Sequence, residues 1–243
     1  MKAMILAAGL GTRLKPFTNH HPKALAPVAG KPILQRNIEH LQLYGITNLV
    51  VNVHHFAEQV IDALHTNHGW GSQVTISHET PEALETGGGL QNALRYFEQE
   101  EDLLMLNADV LTNIDFTAMI GYHRQKNAFA TLATTNRSSS RFFYFDDTTN
   151  RLCGWGNSKT GQSIVPLPAL HMHTAAFSGI QIINRAIFNH IPFTGKFSII
   201  DVYLHFCQQY PIYKYDHSQG WFFDIGTPEK LEQATAFFEM GHR

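Results

Sequence analysis

Residues 2–32, KAMILAAGLGTRLKPFTNHHPKALAPVAGKP, carry the pattern that determines how the rest of the chain is interpreted. Residues 2–7 are mostly apolar and predict a short buried strand. The polar connection that follows contains Gly9 and Gly11 and the cations Arg13 and Lys23. Because glycine lets a backbone turn tightly, this loop can bring N–H groups and two fixed positive charges close to one anion. We expect that anion to be a phosphate.

Two other phosphate-binding patterns and a secretory signal compete for the same stretch. A dinucleotide-binding fingerprint needs a third glycine at position 14, where the chain has Leu14. A Walker A loop ending at Lys31 needs glycine at position 25 and Ser or Thr at position 32, and both are missing. A cleaved signal is disfavoured because Arg13, Lys15 and Lys23 separate the apolar run from the small residues of a cleavage site.

The segments LAAGLGTRLKP and PKALAPVAGKP together resemble the amino-terminal signature of the sugar-phosphate nucleotidyltransferases. These enzymes make nucleotide sugars from a nucleoside triphosphate and a sugar 1-phosphate. The resemblance implies an α/β fold, a three-layer αβα sandwich with a Rossmann-like, mostly parallel mixed sheet. It also implies that Arg13 and Lys23 are catalytic. The nucleotide-binding residues implied in this loop are Ala7, Gly9, Gly11 and Thr12.

Hydrophobic periodicity alternates between helix and strand after this loop. Helical spacing over residues 33–44 is followed by a β-branched apolar run at 47–53, a second helical pattern at 56–64 and a strand pattern at 73–77. Such alternation is typical of a mostly parallel sheet with helices on both faces. We expect a single domain over residues 1–243, in which residues 1–135 bind the nucleotide and residues 136–243 bind the sugar and supply a C-terminal helix.

The segment ETPEALETGGGL, residues 79–90, contains three successive glycines that run into a helical pattern. It is either a flexible connector or a backbone that approaches a flat ligand and presents N–H groups to it. In the family a similar segment grips the nucleobase, and E-T-G-G-G resembles most the uridylyltransferases that act on N-acetylmuramate 1-phosphate. The resemblance implies that Glu79, Thr86, Gly87 and Gly88 contact the base. Mannose or heptose 1-phosphate with GTP, or another sugar with CTP, stays open.

Two aspartates are the candidate ligands of Mg²⁺. Asp109 follows the apolar run at 103–106, and ligands gather at the carboxyl ends of strands in an open α/β sheet. A turn or helix cap is the structural alternative for an aspartate there. The segment NADV, residues 107–110, resembles the N-G-D segment of the family. That match implies that Asn107 contacts the nucleotide and that Asp109 binds Mg²⁺ together with Asp224.

The pattern changes after residue 135. Short segments separated by Asp, Asn and Gly between residues 141 and 165 predict antiparallel strands and hairpins. Gly179 interrupts the strand predicted at 175–183, and the resemblance places this glycine against the sugar. Lys196 is a second candidate for the sugar or its phosphate. Many relatives carry Glu-Lys or Glu-Ile where this chain has Ser198-Ile199, so the identity of the sugar stays open.

Composition limits the partners that we expect. The chain has 18 basic and 20 acidic residues and a net charge of −2, so we expect neither nucleic acid nor membrane as a partner. No apolar run approaches the ~20 residues of a membrane helix. Cys153 and Cys207 fit no metal or disulfide pattern, which favours a reducing compartment. We therefore expect a cytoplasmic protein, a monomer or small homo-oligomer.

Taken together, the implied reaction is attack by the sugar 1-phosphate on the α-phosphorus of the triphosphate, with release of pyrophosphate. A non-catalytic nucleotide-sugar sensor of the same fold is the alternative from another class. Loss of Arg13, Lys23, Asp109 or Asp224 would favour a sensor, and all four are present.

Overall fold

A ten-stranded mixed sheet runs through the protein, and the computed structural model describes residues 1–241. The strands are β1 (Ala3–Leu6), β2 (Pro27–Val28), β3 (Lys31–Pro32), β4 (Asn48–Val53), β5 (Gln73–His78), β6 (Asp102–Asn107), β7 (Val110–Thr112), β8 (Ala130–Thr135), β9 (Arg141–Asp146), β10 (Leu152–Asn157), β11 (Gln162–Ile164), β12 (Met172–Asn184), β13 (Ile212–Asp216) and β14 (Phe222–Asp224). The α-helices are α1 (Ile33–Gln42), α2 (Ala57–Thr66), α3 (Glu85–Ala93), α4 (Phe116–Gln125), α5 (Ile199–Phe206) and α6 (Pro228–Glu239).

The central part of the sheet has the strand order β13-β8-β12-β6-β1-β4-β5. β1 pairs in parallel with β4 and β6, β4 with β5, and β8 with β13. Only β12 runs against its neighbours, since it pairs antiparallel with both β6 and β8. The carboxyl ends of the other six central strands therefore lie along one edge of the sheet. This arrangement confirms the mostly parallel mixed sheet that was predicted.

Helices cover both faces of the sheet, as the alternation in the sequence predicted. Ala3 and Ile5 of β1 lie in one buried cluster with side chains of α1, α2 and α4. Met4, which points to the opposite face, lies in a second buried cluster with side chains of α3 and α5. Burial on both faces explains why the central strands appear in the sequence as continuous apolar runs.

The second half of the chain adds a smaller antiparallel sheet. The first four residues of β12 pair with β9, and β9, β10 and β11 pair antiparallel in turn. These pairings confirm the predicted hairpins. β12 passes from the small sheet to the large one near Gly179, which has φ 73° and where a Cβ atom would lie 2.5 Å from Nδ2 of Asn107. Only glycine fits this bend without displacing Asn107.

The helix boundaries follow the local signals in the sequence. Ser198 and Asp201 form a reciprocal capping box at the start of α5. Thr227 caps α6, which begins at Pro228 and packs against the opening loop through a third buried cluster that includes Leu14 and Ala234. Every helix within residues 1–241 is too short or too polar to span a membrane.

Candidate active site

A cleft of about 510 Å³ opens at the carboxyl edge of β1, β4 and β6. The loop after β1, the start of α3 and the turn after β6 form its walls. The predicted site residues that line this cleft are Ala7, Gly9, Gly11, Thr12, Arg13, Lys23, Glu79, Thr86, Asn107, Asp109 and Lys196. Four predicted residues do not line it, namely Gly87, Gly88, Gly179 and Asp224.

The loop after β1 turns sharply at Gly11. This glycine has φ 61°, and its carbonyl accepts hydrogen bonds from Leu14 N and Thr18 Oγ1, both at 2.9 Å. A Cβ atom on Gly11 would lie 3.0 Å from Cβ of Lys23. The absence of a side chain at Gly11 therefore lets the stem of Lys23 pack against the turn that carries Arg13.

Lys23 and Asp109 form an ion pair on the wall of the cleft through Nζ and Oδ2. Their side chains are only 13% and 26% exposed. The pair is partly shielded from water, so its charges interact more strongly than those of a surface pair. The two charged groups predicted from separate motifs thus meet in the cleft.

Arg13 faces the same cleft and, like Lys23, belongs to the loop after β1. Its guanidinium lies over Gly226, where a Cβ atom would be 3.3 Å from Nη2. Within residues 1–241 no hydrogen bond or ion pair involves the Arg13 guanidinium. All of its N–H donors are therefore free to bind an anionic ligand.

Asp224 is placed beside Asp109 by the pairing of β7 with β14. Asp224 lies opposite Val110, and Ile225 N donates to the Asp109 carbonyl at 2.8 Å. The Asp224 carboxylate itself lies 3.4 Å from Nζ of Lys230. The two predicted metal ligands are therefore neighbours along a two-stranded ribbon, although only Asp109 lines the cleft.

The two carboxylates suit an Mg²⁺ ion whose coordination a substrate completes, and they are too few for a metal ion that is held by protein ligands alone. Asp109 and Asp224 supply hard carboxylate oxygens, and Mg²⁺ in nucleotide enzymes is commonly bound by one or two carboxylates plus substrate phosphates. Across residues 1–241 no group of three or more His, Cys, Asp or Glu side chains is assembled around a metal position. A cation bound here would need the substrate to complete its coordination.

A buried hydrogen-bond network holds the far wall of the cleft. Asn52 Oδ1 accepts from Ala7 N at 2.7 Å, and Asn52 Nδ2 donates to Glu79 Oε1 at 2.5 Å. The other oxygen of Glu79 accepts from Leu84 N at 2.8 Å. Glu79 is 1% exposed, so it fixes the segment before α3 against β4. Asn52 was missed in the sequence, where its signal was one polar residue inside the apolar strand β4.

The glycine run differs from the expectation. Gly87 and Gly88 lie inside α3, and their N–H groups donate to the Phe197 carbonyl at 3.0 and 3.1 Å. The expectation that these N–H groups face the ligand is therefore wrong. A Cβ atom on Gly88 would lie 2.1 Å from the Gly195 carbonyl oxygen, so glycine is needed for helix packing. This packing brings Lys196 to the cleft.

Two residues at the start of α3 line the cleft. Thr86 Oγ1 accepts from Ile199 N at 3.0 Å and so joins the starts of α3 and α5. Glu85 is exposed and has φ 60°, a left-handed backbone conformation that residues other than glycine rarely adopt. Such backbone strain concentrates at ligand-binding positions. No pattern in the sequence pointed to Glu85.

Comparison with known proteins agrees with this geometry. Residues 2–241 match the family model described as Nucleotidyl transferase. The chain is 31% identical over 236 residues to N-acetylmuramate alpha-1-phosphate uridylyltransferase of Neisseria meningitidis serogroup B, which covers 97% of each chain. The Caulobacter vibrioides protein of that name is 47% identical over 94 residues, 38% of this chain and 39% of the other.

Among solved structures, the chain resembles a putative glucose-1-phosphate thymidylyltransferase of Bacillus anthracis in complex with a sucrose, with a TM-score of 0.82 at 20% identity. The match covers 98% of this chain and 94% of the other. At this level of identity the likeness concerns the fold. It confirms the Rossmann-like nucleotidyltransferase fold expected from the sequence.

Proposed function

This chain belongs to the nucleotidyl transferase family, and from that premise we propose that it transfers the uridylyl group of UTP to N-acetylmuramate 1-phosphate. The products are UDP-N-acetylmuramate and pyrophosphate. The observation that carries the proposal is that Arg13, Lys23 and Asp109 line one cleft at the carboxyl edge of the sheet. The E-T-G-G-G resemblance and the two relatives named N-acetylmuramate alpha-1-phosphate uridylyltransferase support the choice of nucleotide and sugar.

The chemistry needs alignment and charge neutralisation. An oxygen of the sugar 1-phosphate attacks the α-phosphorus of UTP, a new P–O bond forms, and the bond to the β-phosphate oxygen breaks to release pyrophosphate. Arg13, whose guanidinium has no hydrogen-bond or ion-pair partner in the described part of the chain, binds the departing pyrophosphate together with the N–H groups of residues 9–12. Lys23 stabilises charge on the α-phosphate. No general base is required, because the attacking phosphate is already ionised.

Asp109 and Asp224 are the residues that would hold Mg²⁺. When bound, the ion supplies charge neutralisation between two anionic substrates that otherwise repel each other. Lys23 holds the Asp109 carboxylate at the cleft wall through their ion pair. Lys230 of α6 lies 3.4 Å from the Asp224 carboxylate and competes with a cation for it.

The two halves of the chain divide the substrate. In this account residues 1–135 bind the nucleotide, with Thr86 and the segment fixed by Glu79 beside the base. Residues 136–243 bind the sugar, where Gly179 borders Asn107 and Lys196 lies on the cleft wall. Cys153 and Cys207 are buried free thiols, which agrees with our proposal of a cytoplasmic enzyme that makes a sugar nucleotide for the cell wall.

A substrate panel tests the proposal. The purified protein is incubated with Mg²⁺, each of UTP, GTP, CTP and dTTP, and each of several sugar 1-phosphates, and pyrophosphate release is measured. We expect the highest kcat/KM for UTP with N-acetylmuramate 1-phosphate. A higher value for GTP with mannose or heptose 1-phosphate would replace this substrate pair. Nucleotide binding without pyrophosphate release from any pair would indicate a sensor.

A further inference from the structure

Arg137, just after β8, is a half-buried cation that forms no ion pair with a carboxylate of residues 1–241. Its Nη2 donates to the Phe177 carbonyl at 2.9 Å, and its guanidinium carbon lies 5.1 Å from the centre of the Phe222 ring. Its Nε is buried and makes no hydrogen bond within residues 1–241. Burial lowers the pKa of Arg137, and the charge of Asp224 offsets that only in part. Keeping an unpaired charge in such a place costs stability, which suggests that a ligand completes it.

Arg137 lies at the same edge of the sheet as the cleft. β8 and β6 are parallel and are separated by β12 alone, so the two strands lie two strand spacings apart, about 10 Å across the sheet, and Arg137 follows β8 by two residues. The phosphate-binding loop follows β1, on the other side of β6. Arg137 does not line the cleft itself, and it lies on the side of β6 away from the loop after β1, which is the side where we place the sugar.

Arg137 contacts two strands, β12 through Phe177 and β14 through Phe222. Phe177 is two residues before Gly179, which packs against Asn107 in the cleft. Phe222 is two residues before Asp224 on β14. Arg137 thus bridges the strand that borders the nucleotide-contacting asparagine and the strand that carries the second proposed metal ligand.

Two more buried polar atoms at this edge of the sheet make no hydrogen bond within residues 1–241. They are Thr135 Oγ1 at the end of β8 and Nδ1 of His217 after β13. His217 is 8% exposed, its ring contacts Phe222, and its Nε2 lies 2.7 Å from Ser178 Oγ. Burial lowers the pKa of His217 to about 4, so Arg137 carries the positive charge of this cluster at neutral pH. Buried polar atoms rarely stay unpaired in a native protein, so the cluster is suited to a polar ligand.

We propose that Arg137 determines sugar specificity by binding the lactyl carboxylate of N-acetylmuramate 1-phosphate. The inference rests on the proposed function, which supplies the sugar. N-acetylmuramate differs from N-acetylglucosamine by a lactyl ether on O3, which ends in a carboxylate. A guanidinium matches a carboxylate in geometry and charge. A neutral sugar leaves the cation unpaired and is bound less well.

The test compares two sugars that differ only in the lactyl group. kcat/KM is measured with UTP and either N-acetylmuramate 1-phosphate or N-acetylglucosamine 1-phosphate for the wild type, Arg137→Gln and Arg137→Lys. We expect Arg137→Gln to lower kcat/KM for N-acetylmuramate 1-phosphate about 10- to 100-fold and to change the value for N-acetylglucosamine 1-phosphate far less. Arg137→Lys keeps the charge and should retain part of the preference.

Arg124→Gln is the matched control. Arg124 is exposed near the end of α4, and its charge acts on Asp102 at the opposite edge of the sheet. Its substitution should leave both kcat/KM values unchanged. An equal loss of kcat/KM for the two sugars in Arg137→Gln, or no loss for either sugar in that variant, would overturn the inference.

Calorimetric binding of UDP-N-acetylmuramate and UDP-N-acetylglucosamine, in the presence of a chelator, gives a readout that does not depend on turnover. The wild type should prefer the first ligand, and Arg137→Gln should lose that preference. If the wild type fails to use N-acetylmuramate 1-phosphate in the assay, the proposed function fails. The inference is then decided by the binding preference, and equal affinities of the wild type for the two ligands would reject it.

Discussion

Lys23 and Asp109 are 86 positions apart in the sequence and form an ion pair on the wall of the cleft. The fold brings these two residues into contact, because Lys23 belongs to the loop after β1, Asp109 follows β6, and β1 and β6 are adjacent parallel strands. The cation proposed to bind phosphate and the carboxylate proposed to bind Mg²⁺ are thus positioned together in the protein without ligand. Such preorganisation is a major source of rate acceleration in enzymes.

Substitution of Lys23 tests this pair. Lys23→Ala should lower kcat about 10²- to 10³-fold, because a charge aimed at the α-phosphate is lost. Loss of this partly shielded pair should lower the free energy of unfolding by about 1–3 kcal/mol and the Tm by about 2–12 °C, which leaves the protein folded at the assay temperature. Lys31→Ala removes an exposed lysine that is 2.8 Å from Glu39, outside the cleft, and should leave kcat unchanged. Near-normal turnover in Lys23→Ala would remove its role.

The metal requirement should respond to two substitutions in opposite directions. Asp224→Asn should raise the Mg²⁺ concentration that gives half-maximal activity, since a carboxylate ligand is lost. Lys230→Met should lower that concentration about 1.5- to 5-fold, because an exposed cation 3.4 Å from Asp224 is worth about 0.2–1 kcal/mol. Titration of turnover with Mg²⁺ checks both. An unchanged Mg²⁺ dependence in Asp224→Asn, or full activity in excess chelator, would contradict the metal assignment.

Two glycine-to-alanine substitutions should have different effects. Gly88→Ala places a methyl group 2.1 Å from the Gly195 carbonyl oxygen and should destabilise the protein by about 1–3 kcal/mol in urea unfolding. Gly9→Ala meets no atom within 4 Å, so its unfolding free energy should match that of the wild type. Because Gly9 lines the cleft, its methyl group should raise the KM for UTP. Equal stability of the two variants would show that α3 does not need Gly88 for packing.

The sequence predicted the elements whose signals are local. The apolar run at residues 47–53 predicted a buried strand, and β4 lies there with both faces covered. Packing between residues far apart in the chain could not be predicted from such local patterns. The packing role of Gly88 could not be predicted, because its packing partner, Gly195, is far away in the sequence. Arg137 lies in a polar stretch with loop-like composition, and only the fold brings it beside β14.

Acidification should destabilise the protein through two buried histidines. Burial lowers the pKa of His40 and of His217 to about 4, against a usual value of 6.5. Below about pH 6.5 the unfolded chain takes up protons that the folded chain does not. Stability is therefore complete above about pH 6.5 and declines toward pH 4, with a slope of up to about 1.4 kcal/mol per pH unit for each histidine.

Urea unfolding at about pH 7.5 and about pH 5 measures this effect. His40→Gln and His217→Gln should each reduce the difference in unfolding free energy between the two pH values. His65→Gln, a substitution at an exposed position on α2, should leave the difference as in the wild type. If neither buried histidine variant changes the difference, other groups cause the acid sensitivity.

The transfer of the uridylyl group is tested most directly by ³¹P nuclear magnetic resonance of UTP, N-acetylmuramate 1-phosphate, Mg²⁺ and the protein in one sample. We predict that the signals of the diphosphate of UDP-N-acetylmuramate and of pyrophosphate appear together in equal amounts, while UTP and the sugar phosphate decline in parallel. Release of orthophosphate with an unchanged sugar phosphate signal, or no change in any signal while UTP is bound, would contradict the account.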